Sequence, residues 1–77
     1  MEIPYFDYSA LEGKIKQYYD TQDNFAKAIP MGRSTLNQKL QGKVDFTARN
    51  IYVIVKLLHI SEEDIGKYFF SEKSLEN

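Results

Sequence analysis

Leu11, Ile15 and Tyr18 recur at i, i+4 and i+7, the spacing of one helix face. Ser9, Ala10, Leu11 and Glu12 stand just before and within that run, and a hydroxyl followed three residues on by Glu is capping-box spacing. The pattern predicts a first helix over about 10–19. Thr21 is placed to cap a second segment whose apolar stripe is Phe25, Ala26 and Ile29. Pro30 ends it, because a proline disfavours the α conformation at the residue before it, and the second helix spans about 22–28. Gly32 caps a third helix over 33–41, with Leu36 and Leu40 facing inward and Gly42 as its left-handed stop. Beyond the connector 43–46, the run Ile51 to Val55 is β-branched and aromatic, which locally favours a strand. Its apolar character continues through Leu57, Leu58 and Ile60, and its bounding signals, Thr47 and Ser61, lie too far apart for a strand. The expected element is a helix over 48–58. Being apolar nearly all round, it is either buried centrally or faces a partner. Ser61 to Asp64 then open a fifth helix over 62–69, where an acidic first turn suits the helix dipole. The expected fold class is all-α, a five-helix bundle in one domain. An aromatic arm over 1–8 precedes it and a frayed tail over 71–77 follows it.

Composition narrows the function classes. A chain of 77 residues is expected to form a single domain. No cysteine is present, so neither a disulfide nor a thiolate metal site is available. No apolar run approaches the roughly 20 residues of a membrane span, and the opening MEIPYFDYSALEG lacks the basic and apolar regions of a secretory signal. The expectation is a cytoplasmic protein with no membrane partner. No nucleophile elbow, phosphate loop or dinucleotide fingerprint occurs, so an enzyme is not expected, nor is a cofactor. His59 reads as a structural residue near a helix end, and Glu62, Glu63 and Asp64 as a helix start rather than a metal site.

The charge distribution adds more than the net charge of −1. Residues 24–56 carry Lys27, Arg33, Lys39, Lys43, Arg49 and Lys56 against Asp45 alone. The flanks 1–23 and 57–77 each carry five carboxylates against two lysines. A cationic middle between acidic ends points to a polyanion contact, since phosphate binding responds to local field. Arg33, Ser34, Thr35, Asn37 and Gln38 are left for the outer face of the third helix. Arg can grip guanine through two acceptors, and Asn or Gln can do the same for adenine. Gln22, Lys39, Gln41 and Lys43 are the expected phosphate contacts.

The stretch TQDNFAKAIPMGRSTLNQKLQGK resembles the helix-turn-helix of the lambda-repressor and Cro superfamily. The matching features are Gln22, the Phe25-Ala26 pair, Ile29, Met31, Leu36 and Gly42. The flanking FDYSALEGKI and KYFF are similar to small phage-associated regulators. The resemblance implies a lambda-repressor-like bundle that dimerises on a palindromic operator in double-stranded DNA. Arg33, Ser34 and Gln38 then fall at base contacts, and Gln22 and Gln41 at backbone contacts. Two departures stand out. Pro30 occupies the usual turn glycine and cannot adopt a left-handed conformation. Lys39 replaces a buried aliphatic residue, and its ammonium is expected in solvent, near phosphate. The first functional expectation is a homodimeric phage or prophage DNA-binding transcriptional regulator. The alternative, motivated by the acidic ends and the altered turn, is a protein-binding modulator, or antirepressor, that docks helix 4 or helix 5 onto another phage regulator.

Overall fold

The first helix begins one residue earlier than the Ser9-to-Glu12 spacing predicts, and for a different reason. In a computed structural model describing residues 6–72, α1 spans Ser9–Tyr19. Tyr8, not Ser9, is the capping position, and its side chain makes no cap bond. Asp7 fills that role. Its Oδ1 accepts from the Ser9 backbone N–H at 2.9 Å and from the Ser9 hydroxyl at 2.6 Å. A carboxylate ahead of the helix thus replaces the expected serine cap and suits the positive end of the helix dipole. Leu11 and Ile15 are buried as the spacing requires. Tyr18 turns outward, and Tyr19 packs on Phe25 with ring centroids 5.0 Å apart.

The chain leaves α1 abruptly. Asp20 has φ 69 and ψ −49, and the Thr21 N–H donates to the Tyr19 carbonyl at 2.7 Å. That is a γ-turn centred on a non-glycine residue in the strained left-handed half of backbone space. Thr21 then caps α2, Gln22–Ala28, by accepting from the Asn24 N–H at 3.1 Å. The Asn24 amide donates back to the Tyr19 carbonyl at 3.0 Å, tying the turn to the helix it starts.

Pro30 closes α2 without any left-handed residue in the turn. The Met31 N–H donates to the Ala26 carbonyl at 2.9 Å, the outer bond of a Schellman ending. Its inner bond needs an N–H at position 30, which proline lacks. α3 follows at Arg33–Leu40 and ends in the complete motif. Gly42 at φ 81 donates to Lys39, and Lys43 donates to Gln38. α4, Ala48–Leu57, starts in a reciprocal box between Thr47 and Asn50, both bonds 3.0 Å. It ends at left-handed His59, with the Ile60 N–H on the Val55 carbonyl.

The expected fifth helix over 62–69 is two pieces. Glu62–Asp64 form a 3₁₀ turn, and α5 is Ile65–Phe69. Ser61 explains the split. Its Oγ accepts from Glu63 rather than Asp64, and its carbonyl accepts from the Asp64 N–H, which tightens the first turn to i→i+3 bonding.

The described residues are thus all-α, five helices with no strand. Phe25, Leu11, Ile15, Leu36, Ile54, Leu58 and Phe69 fill the fully buried centre. The two ends of the described chain meet over it. Phe6 and Glu72 form an antiparallel bridge, and Asp7 N–H donates to the Ser71 carbonyl at 2.6 Å. Edge-on ring contacts run from Tyr8 to Phe46 at 5.2 Å and from Phe46 to Phe69 at 5.5 Å, with Phe6 on Phe70 at 5.6 Å. Each such pair adds about 0.5–1.5 kcal/mol beyond its burial. Ser71 and Glu72, expected in the frayed tail, are held by these contacts, and the Ser71 hydroxyl also donates to the Lys67 carbonyl. The expectations for Tyr5 and for residues 73–77 lie outside the described residues.

Candidate macromolecular interface

α2 and α3 pack at right order and spacing to brace one another, with Phe25, Ala26, Leu36 and Leu40 buried between them and the rest of the core. What remains outward on α3 is polar. Arg33, Ser34, Thr35 and Gln38 are exposed, as are Gln41 and Lys43 past the helix end, while Asn37 is half-buried. Ser34, Gln38 and Gln41 share one face at i, i+4 and i+7, with Arg33 and Asn37 alongside. Gly32 opens α3 without a side-chain cap and no acidic residue lies in its first turn, unlike α2.

Two of the expected phosphate contacts are placed differently. Lys39 is only 7% exposed. Its Nζ donates to the Asp45 backbone carbonyl at 2.8 Å and lies 6.0 Å from the Phe46 ring centroid. The stem does run along apolar surface as expected, but the ammonium fastens the 43–46 connector rather than facing phosphate. A buried ammonium needs an acceptor, and the carbonyl supplies one. Gln22 is half-buried, and its Oε1 is buried without a hydrogen-bond partner. Its side chain lines a cleft with Glu12, Ile15, Lys16 and Asp20 instead of standing clear of α2.

A second outward face lies on α4, one of the two helices the docking alternative uses. Of the two expectations for α4, central burial or a partner on its second face, central burial fails, since only Ile54 within the helix is fully buried. Arg49 and Lys56 are exposed, Tyr52 is 61% exposed, and Val53 is half-buried without packing on the buried core. Lys56 Nζ lies 5.5 Å over the Tyr52 ring. The signal was present as i, i+3, i+4, i+7 spacing on the side opposite Ile54 and Leu58.

Between α4, α5 and the 43–46 connector lies an aromatic groove of about 200 Å³ lined by Phe6, Tyr8, Asp45, Phe46, Ile51, Phe69 and Phe70. Burial raises the pKa of the Tyr8 phenol above its usual value, and the Asp45 carboxylate adds to the shift. Phe70 at the groove's rim is 52% exposed. Among the described residues no group of His, Asp and Glu is placed to hold a metal, and no helix is long and apolar enough to cross a membrane.

A polar helix braced by its neighbour, and an open face on α4, are the two candidate surfaces of this small all-helical bundle. The chain belongs to the DUF739 family, described as a protein of unknown function, whose model matches residues 4–72. It is also similar to the solution structure of the modulator of repression of the temperate bacteriophage TP901-1 from Lactococcus lactis. Identity is 42%, the TM-score is 0.76, and the match covers 84% of this chain and 88% of that one. No curated protein matches the chain.

Proposed function

We propose that this chain is a phage-type modulator of repression that acts by holding another regulator, not by reading an operator on its own. The observation that carries it is the 42% identity, over most of both chains, to a protein named for modulating repression. The withdrawal of the Lys39 ammonium from the outer surface agrees with it, since that ammonium was expected near phosphate. So does the open face of α4, an element the docking alternative calls on.

A second reading keeps one observation in its favour. Arg33, Ser34 and Thr35 are exposed at the start of α3 and Gln38 a turn further on, the placement by which homodimers of the resembled superfamily read a duplex. Two titrations separate the readings. The first adds the chain to a fluorescent operator duplex carrying the repressor of the same phage or prophage. The second adds the chain alone to mixed-sequence duplex through a salt series. A modulator changes the repressor's apparent operator affinity and shows no salt-dependent binding of its own. A DNA reader can also change that apparent affinity, by competing for the duplex, but on DNA alone it binds and loses affinity by several log units per log unit of salt. In that second case Arg33→Ala costs about 1–3 kcal/mol on the preferred site and little on random DNA.

A further inference from the structure

α4 presents Arg49, Tyr52, Val53 and Lys56 on one side, opposite the Ile54 and Leu58 side chains that anchor it. We propose that this outward stripe is the surface that grips the partner regulator, and that the partner offers an apolar depression flanked by carboxylates. The assignment rests on the modulator reading above.

The stripe has the composition of an interface centre, where Tyr and Arg are enriched. Tyr52 exposes most of its ring, and half-buried Val53 beside it adds apolar surface that the chain's own core does not use. Arg49 and Lys56 are two turns apart, about 10 Å along the axis. Neither is ion-paired among the described residues, where the pair found is Lys27 with Asp23. Lys56 lies over the Tyr52 ring, which restricts the phenol before any partner arrives. The Thr47–Asn50 box encloses Arg49 and fixes the first turn of the helix, so the stripe is presented on a capped element.

Charge selects the occupant. In a twofold contact of two copies through antiparallel α4 helices, Arg49 of one copy meets Lys56 of the other, so like charges oppose the pair. A DNA backbone satisfies the two cations but offers Tyr52 and Val53 no apolar contact. A protein surface with carboxylates around a shallow apolar site satisfies all four side chains.

The test is calorimetric titration of the purified repressor of the same phage with the full chain and three variants. Tyr52→Ala and the double variant Arg49→Glu/Lys56→Glu alter the stripe. Arg33→Ala/Gln38→Ala alters α3. Thermal melts of each variant confirm folding, and the exposure of all these side chains makes intact folding the expectation. Tyr52→Ala weakens binding by about tenfold or more, as an interface anchor does. The double charge reversal weakens it further, and the α3 variant binds within about twofold of wild type. Folded stripe variants that bind like wild type overturn this assignment and leave the modulator reading standing. The same chains titrated onto random duplex DNA give the other arm: loss confined to DNA, with repressor binding intact, overturns it as well by assigning the stripe to phosphate. No binding by the wild-type chain overturns the modulator reading itself, and this inference with it.

Discussion

Lys39 joins α3 to the connector that leads into α4 through one ammonium on the Asp45 carbonyl. Lys39→Met keeps much of the stem and removes the donor, so it should cost about 1–2 kcal/mol in urea unfolding at neutral pH, the net worth of a charge-assisted hydrogen bond. An unchanged midpoint would mean that the ammonium has no structural role. Tyr8 gives a second residue-scale prediction. Its phenol is raised by burial, with Asp45 adding to it, so the folded chain keeps its proton at a pH where the unfolded chain has released it. Tyr8 therefore leaves stability intact below the unfolded phenol's pKa of about 10 and withdraws it as pH climbs from there through the raised folded value. Tyr8→Phe should flatten the loss of stability between about pH 9 and 11 relative to wild type, read by denaturant midpoints across that range. Neither role was legible from sequence. A lysine at an inward helix position announces a conflict but not its acceptor, and the Tyr8–Asp45 proximity exists only after the chain has closed on itself.

At the scale of the element, legibility followed range. Thr21, Gly32, Gly42 and Thr47 act where the sequence placed them, because a cap is a contact between residues two to four apart. The failures are also local, but competitive. Asp7 displaced Ser9 at the start of α1, and Ser61 bonded one residue short and split the last helix. The γ-turn at Asp20 carries no glycine or proline to announce it. Thr21→Ala should destabilise the fold by about 1 kcal/mol through the lost cap of α2. Asp20→Gly should act the other way and raise stability by up to about 1 kcal/mol, because relief of the positive-φ strain there outweighs the extra freedom glycine gives the unfolded chain. Thermal melts of the two single variants check both signs. A destabilised Asp20→Gly would show that the aspartate is held there by something stronger than the turn.

For the whole molecule, the all-α class and the five-helix order were readable because each helix carries its own period and punctuation. The clustering of aromatic residues at both ends was readable too, but the closure of Phe6 and Asp7 onto Ser71 and Glu72 is a contact over the full chain length. The candidate interface was half legible. The polar face of α3 came directly from spacing, and all its residues but half-buried Asn37 are exposed. The stripe on α4 was hidden because a run of Ile, Tyr and Val looks buried from every side until Ile54 and Leu58 fix which side faces in. Charge was mixed in the same way: the cationic middle is real, yet the Lys39 ammonium is turned inside the fold. If this chain works on a regulator protein, the two must associate without DNA. Sedimentation velocity of the chain mixed with the purified repressor of the same phage, at micromolar concentration and with no duplex present, tests this most directly. One boundary faster than either protein alone is the expected result. Two boundaries at the speeds of the separate proteins would contradict it.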